Sequence, residues 1–495
     1  MSSGSLPRLV LIVVVAGVVI SWGIVAAVHV RDRFMVGWGE GAQMALGASA
    51  ADGVLYPPLF DGRSFGGTRM MPVPILLQAA SSLLVHDQLL ASKLATYLTF
   101  LLLAAVLYRT LRSLHCSPLT ALAFIAVLVA TRLGMVTSLR ISPDALPVAL
   151  QLGALMLVAD RRTDRRVVIA ALLCAAGLFG KLSALWAPSA IVAWLAIRDR
   201  RAAWTFAAVF GLFTVALASL SHLLSDGRFE ENVFGLAFAG ERTGPDLLWA
   251  GRVIASAPAA AFGVLALLPI ATLGTVKAVR ERRWTLYHVA AGFSLIVLLV
   301  VLTDRGATTN HLLDVSVLII ILAGHAVANG TAAREVTPGL PIARLVVLLV
   351  LVSSFSVSLA PATVHAVDLM VTGTEDPDYA RRPLDDLLDP GDQILSEDPT
   401  VPLELGMRPV VLDPFMLPAI ASEHPEWIGR LTERIENQEF DAVVLVRDLD
   451  DAPRDWYSRL HLGQAVVDAI RDHYQLQATT GGYFVYRPVS LDGSS

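Results

Sequence analysis

The chain has 495 residues, 55% of them hydrophobic and only 16% charged, with a mean hydropathy of +0.61. Soluble domains carry about 25% charged residues, so a wholly soluble protein is excluded. Polarity is uneven: residues 362–495 hold 25 of the 43 acidic but 10 of the 38 basic residues, a net charge of −15, which leaves residues 1–361 at +10. Such an acidic tail does not suit nucleic acid, which demands clustered Lys and Arg.

In chain order, the first apolar run is Leu9–Val30. At about 1.5 Å of rise per residue it is long enough to cross a hydrocarbon core of about 30 Å. No small-x-small cleavage pattern follows, and the run reads as a retained anchor. A polar stretch over 31–87 comes next, interrupted by Pro72–His86, which is apolar but short and opens Met71-Pro72-Val73-Pro74. That pattern predicts a half-helix lying at the interface or re-entering it. Further apolar segments recur at about 88–108, 118–136, 144–159, 167–180, 184–197, 202–222, 249–275, 284–303, 311–329 and 342–361, which makes about eleven spans with the first.

The tail 362–495 reads as a small α/β unit. Gln393-Ile394-Leu395, Pro409-Val410-Val411-Leu412 and Ala442-Val443-Val444-Leu445-Val446 look like strands, and Glu426–Gln438 has helical periodicity. The alternation suggests a layered, partly parallel sheet. Cys116 and Cys174, the only cysteines, both fall in the apolar part, so no disulfide or metal-thiolate site can staple the tail. It carries no Gly-rich phosphate loop and no Ser/His/Asp arrangement, and is expected to be a folded cap without chemistry of its own.

Basic clusters set the orientation. Arg109 with Arg112, Arg161-Arg162 with Arg165-Arg166, Arg198 with Arg200-Arg201, and Lys277, Arg280 and Arg282-Arg283 all fall on one face if Pro72–His86 does not cross. By the positive-inside rule that face is cytoplasmic. The outer face then collects the long loop 31–87, Arg132–Asp144, the joint around Lys181, His222–Trp249, Asp304–Asn310 and the tail. The expected fold class is therefore an α-helical polytopic membrane protein, amino terminus inside, with a small extracytoplasmic α/β domain. The domains expected are 1–361, in the membrane, and 362–495, outside it.

Several outer-face motifs line up: Gly39-Glu40-Gly41, Asp52-Gly53-Val54-Leu55-Tyr56-Pro57-Pro58, Met71-Pro72-Val73-Pro74, Arg140-Ile141-Ser142-Pro143-Asp144, Gly180-Lys181 and Asn310-His311-Leu312-Leu313-Asp314. In this order and topology the chain resembles the GT-C superfamily of integral membrane glycosyltransferases, in the bacterial branch similar to protein mannosyltransferases and to the aminoarabinose transferase of lipid A. The resemblance implies a bacterial plasma-membrane transferase of hexosyl or pentosyl groups. Its donor would be a polyprenyl-phosphate sugar and its acceptor a glycan, lipid or protein. It also implies that Glu40 is the catalytic base and Asp144 the second acidic group. The family's acidic pair is reduced here, since Gly39 precedes Glu40, and its Arg-Pro-Asp motif is matched by Arg140–Asp144 with Ile141-Ser142 inserted.

The chemistry can be argued without the family. An attacking hydroxyl or amine needs a base within hydrogen-bond reach, and a carboxylate serves. A lipid-phosphate leaving group gathers negative charge and needs cations. Lys181, Arg305 and His311 stand at the right depth, with Arg140 beside them, while Trp38, Tyr56 and Asn310 are candidates for sugar or acceptor contact. Direct displacement would invert the anomeric centre. No His/Asp cluster has metal-ligand spacing, so no cofactor or tightly bound metal is expected, a divalent ion being left open but not indicated.

Each residue has a plainer reading beside this one. Glu40 can be a solvated loop acid, Lys181 a snorkelling cation, Arg305 an ion-pair partner of Asp304, His311 an interface residue. Asp144 can be a helix cap and Trp38 an aromatic-belt anchor. Two rival functions stand against transfer. A transporter or flippase would show internal repeats and mid-membrane charges, neither of which the sequence has. A catalytically silent assembly protein is kept in view by the missing acid before Glu40.

Overall fold

The computed structural model describes residues 5–30, 38–160, 163–236, 246–304, 306–332, 341–372, 384, 386–389, 391–453 and 456–489. The chain divides into two compact units. One comprises residues 1–29, 95–217 and 245–371, the other 30–94, 218–244 and 372–495. The long loop 31–87 thus belongs to the same unit as the acidic tail.

The first unit is helical. Its core runs through Val18, Leu107, Phe124, Leu152, Trp186, Phe206, Val264 and Ile320. Among the described residues, six helices are long and apolar enough to cross a membrane: Arg8–His29, Gln88–Ser113, Arg200–Leu224, Leu247–Leu265, Thr309–Asn329 and Leu345–Val371. Only 6% of the apolar window of Arg200–Leu224 is buried, with Trp204, Leu212 and Val215 turned outward. Apolar faces of that size are tolerable in lipid and not in water. The remaining expected segments are helical but shorter, including Ala145–Ala159 and Leu286–Val301.

One expected span is broken. The segment 118–136 forms two helices, Pro118–Val129 and Arg132–Leu139, bent by 82°. Ser117 and Thr131 cap them, each accepting a backbone N–H three residues on. A side chain at Gly134 would put its Cβ 2.0 Å from the Leu128 carbonyl oxygen, so the bend requires glycine there. The segment 249–275 likewise divides into Leu247–Leu265 and Leu268–Arg280.

The second unit carries a four-stranded sheet of β1 (Ile394–Ser396), β2 (Ala442–Leu445), β3 (Tyr474–Thr480) and β4 (Tyr483–Pro488), in the order β1-β2-β4-β3. β1 and β2 are parallel, Leu395 opposite Val443, and the other pairings are antiparallel. β3 and β4 form a hairpin over Gly481-Gly482, both at positive φ, which a two-residue hairpin turn favours. Two of the three expected strands are in the sheet. Pro409–Leu412 is not: Val411 instead makes an isolated parallel bridge with Phe65 of the long loop. Leu59, Phe65 and Leu236 enter the same apolar core as Leu395, Phe440, Val443 and Ile470.

The half-helix expected over Pro72–His86 is present as Pro72–Ser82. Met71 is extended, as a residue before proline prefers, and Pro72 and Pro74 sit in the first turn, where a missing N–H costs no helical bond. It packs on helix Trp38–Ala51.

Candidate active site

In the first unit, Asp144, Lys181, Asn310 and His311 come together. Asp144 precedes helix Ala145–Asp160, and Lys181 follows the neighbouring helix Asp164–Leu178. These helices approach closely because the facing positions are glycine. A Cβ at Gly180 would lie 2.7 Å from Pro147 Cγ, and one at Gly177 would lie 2.6 Å from Gln151 Nε2. The approach delivers the Lys181 ammonium to Asp144 Oδ1, with which it forms a hydrogen-bonded ion pair.

The rest of the Asp144 carboxylate is also occupied. Asn310 Nδ2 donates to both oxygens, at 3.2 and 3.0 Å, and Ser142 Oγ donates to Oδ2 at 2.7 Å. Thr308 Oγ1 donates to Asn310 Oδ1 at 2.6 Å, which turns the amide nitrogen toward Asp144. Asn310 and His311 lie on a single 3₁₀ turn, Thr309–His311, that opens helix Leu312–Ala332. Trp186 Nε1 donates to Asp314 Oδ1 at 2.9 Å. His311, Asp314, Trp186 and Ser183 border a cavity of about 10 Å³, room for about one water. The site is thus a buried carboxylate with one cation and two neutral donors, Asn310 and Ser142, arranged at one end of three helices. Arg140 is exposed at the end of Arg132–Leu139. Arg305 lies outside the described residues.

Glu40 belongs to the second unit. The stretch around it is not a loop but helix Trp38–Ala51, with Glu40 half-buried in its first turn, where amide dipoles favour a carboxylate. The Trp38 side chain lies outside the described residues. The first turn rests on Asp398-Pro399-Thr400, which follow β1: a Cβ on Gly41 would be 2.5 Å from Asp398 Oδ1 and 2.9 Å from both Pro399 Cδ and Thr400 N. Tyr483 donates to Asp398 Oδ2 at 2.6 Å. Burial, and then the carboxylates of Asp398 and Glu40, push its phenol well above the usual value. Tyr56 is fully buried and donates to the Met70 carbonyl at 2.8 Å.

Sequence reasoning missed Asp398, Tyr483 and the fully buried Lys93. Ser396-Glu397-Asp398-Pro399 follows a strand in an α/β pattern, and the carboxyl ends of such strands are where polar site groups gather. Lys93 stands alone in an apolar run, which is itself a signal, since lysine is almost never fully buried without a partner.

The fold has counterparts among solved structures. Over 98% of its length the chain matches apo ArnT, an aminoarabinose transferase, from Cupriavidus metallidurans, covering 99% of that chain at TM-score 0.61 and 15% identity. It matches the same protein bound to undecaprenyl phosphate at TM-score 0.61 and 14% identity, covering 97% of this chain and 98% of that one. The chain shares the fold of this transferase. The archaeal oligosaccharyltransferase AglB from Archaeoglobus fulgidus, in complex with an inhibitory peptide and a dolichol-phosphate, shares it at TM-score 0.54 and 11% identity, over 96% of this chain and 74% of AglB. No protein-family model matches the sequence, and no curated protein does either. The shared fold therefore covers nearly all of this chain, at sequence identities where only fold is comparable.

Proposed function

We propose that this protein is an integral membrane glycosyltransferase that moves a sugar from a polyprenyl-phosphate carrier to an acceptor on the outer face of a bacterial plasma membrane. The observation that carries this reading is the GT-C fold, extending over 98% of the chain, shared with proteins captured with undecaprenyl phosphate and with dolichol-phosphate. Residues 1–361 are assigned to the membrane part and the acidic residues 362–495 to the extracytoplasmic side, following the charge asymmetry.

Glu40 is the assigned base. As an acceptor hydroxyl or amine attacks the anomeric carbon, the carboxylate takes its proton; the bond from that carbon to the phosphate oxygen breaks, and the lipid phosphate leaves as an anion. The new bond forms opposite the old one, so the configuration inverts. Lys181, Arg305, His311 and Arg140 are the assigned cations for the phosphate. Asp144 and Asn310 are positioning residues, holding Lys181 and one another in a fixed geometry, and Tyr56 positions the segment before the half-helix through Met70. Trp38 is assigned to sugar contact.

The test is turnover of radiolabelled polyprenyl-phosphate sugars by purified protein in lipid, wild type beside Glu40→Gln. Loss of a general base costs about 10²- to 10⁴-fold in rate, and that loss is expected, with inverted product from the wild type. Transfer that survives the substitution at normal protein levels rejects the base assignment. Donor binding without turnover by the wild type favours the silent-homologue reading, to which Gly39 in place of an acid already points.

A further inference from the structure

Apart from the residues assigned above, the second unit contains a cavity of about 330 Å³ bordered by Arg63, Ser64, Gln393, Arg408, Arg434 and Glu439. Its lining runs against the charge of its surroundings. The tail carries 25 acidic and only 10 basic residues, yet two of those basic residues meet Arg63 of the long loop at this one place.

The three guanidinium groups are not equivalent. Arg434 is fixed: it donates to the Arg63 carbonyl at 2.7 Å and to Glu439 Oε2 at 3.0 Å, and its Cζ lies 4.6 Å from the Phe440 ring centroid. That contact engages the one carboxylate of the lining. Arg63 and Arg408 are exposed, and among the described residues neither makes an ion pair. The acid nearest Arg63 in sequence is turned away onto its own loop, Asp61 accepting from Arg63 N at 2.9 Å, Ser64 N at 2.7 Å and Ser64 Oγ at 2.7 Å.

Backbone pairing fixes the spacing. Phe65 N donates to the Val410 carbonyl at 2.7 Å, and Leu412 N donates to the Phe65 carbonyl at 2.9 Å. The pairing is parallel, Phe65 opposite Val411, so the residues preceding the bridge run side by side and Arg63 and Arg408 reach the same cavity. Two guanidinium forks free to bond in a bidentate way suit a phosphate or carboxylate. Gln393, Ser64 and Glu439 offer the mixed donors and acceptors that sugar hydroxyls need. The volume is at the lower end of the range for small-molecule sites, the scale of a single sugar residue.

We propose that this cavity binds a saccharide bearing a phosphate or carboxylate group, its anion held by Arg63 and Arg408. Resting on the glycosyltransferase reading, the site anchors an anionic acceptor; the binding itself is measurable without transfer. The experiment is equilibrium binding of glucose 6-phosphate and of glucuronic acid to the full chain in lipid nanodiscs, without donor and at low salt, with neutral glucose as control.

Both anionic sugars are expected to bind at least about tenfold more tightly than glucose, the scale of one charge-assisted hydrogen bond. Arg408→Glu and the double variant Arg63→Ala/Arg408→Ala are expected to lose at least about tenfold, and Arg408→Lys less, since it keeps the charge but not the fork. An unchanged melting temperature in these exposed-site variants shows that folding is intact. Equal binding of glucose, or full binding by Arg408→Glu, overturns the proposal. So does glycerol 3-phosphate or inorganic phosphate binding as tightly as glucose 6-phosphate, because the ligand is then a lipid headgroup or a bare anion. Glu40→Gln separates the two readings: anionic-sugar binding retained in that variant supports the site whatever happens to transfer, and binding lost in it places the anion elsewhere.

Discussion

At the scale of single residues, the buried pair is the most exposed to test. Side-chain exposure is 15% for Lys181 and 4% for Asp144, so removing one partner strands a charge. Such losses cost about 3–5 kcal/mol. Lys181→Met is expected to destabilise the chain on that scale in thermal or denaturant unfolding, and Asp144→Asn/Lys181→Met to recover much of it. Additive losses in that double-mutant cycle would mean that the two groups are not coupled. Asp413 offers a pH test. Burial raises its carboxyl to about 6, against partial relief from the nearby Arg69 and His461 charges, and Thr68 Oγ1 donates to it at 3.3 Å. The folded state therefore holds this proton more tightly than the unfolded chain, whose carboxyl titrates near 3.8. The stabilisation is complete below about pH 4 and is lost as pH rises through about 6, on the order of 2–3 kcal/mol. Unfolding of wild type against Asp413→Asn across pH 4–7 should show that slope in the wild type and not in the variant. Asp144, Lys181, Asn310 and His311 were legible as candidates because polar groups at helix ends stand out from apolar runs. That they satisfy one another was not legible, because pairing depends on which helix ends meet.

At the scale of elements, glycines decide how closely segments approach. Gly39 and Gly41 flank Glu40 in one helical turn but face different surroundings: a Cβ on Gly39 meets nothing within 4 Å, whereas one on Gly41 meets Asp398 at 2.5 Å. Alanine gains about 1 kcal/mol of helix propensity over glycine. Gly39→Ala is therefore expected to be neutral or stabilising, and Gly41→Ala to be net destabilising by about 1–3 kcal/mol because overpacking outweighs that gain. Equal melting temperatures for the two variants would mean that helix Trp38–Ala51 does not rest on Asp398-Pro399-Thr400. The elements the sequence revealed are those with strong local signals: Pro72 and Pro74 at a helix start, and amphipathic Pro425–Glu436. The Gly481-Gly482 turn of the β3–β4 hairpin is a local signal of the same kind. The 82° break after Val129 was hidden, since Pro118–Leu139 is continuously apolar enough to read as one span and only the contact of Gly134 with Leu128 exposes the bend.

At the scale of the whole molecule, the charge pattern predicts a cytoplasmic amino terminus and an outer tail. Cys116 and Cys174 are both buried, so introduced cysteines can be labelled against a quiet background. Glu436→Cys, at an exposed position in the tail, should react with a membrane-impermeant maleimide in intact cells, and Arg283→Cys, exposed in a basic turn, should react only after lysis. The opposite pattern would invert the topology and remove the outer-face reading with it.

By itself, the sequence determined the membrane character, the helical fold class, the acidic tail with its small sheet and the residues where charge breaks an apolar surface. All of these follow from hydropathy and charge, which are sums over local composition. Tertiary structure alone decided that Lys181 and Asn310 are engaged by Asp144, that Tyr56 is buried, that the long loop shares its core with the tail through Phe65, and that Arg63 meets Arg408. Those facts depend on contacts between residues far apart in the chain, which no local pattern specifies.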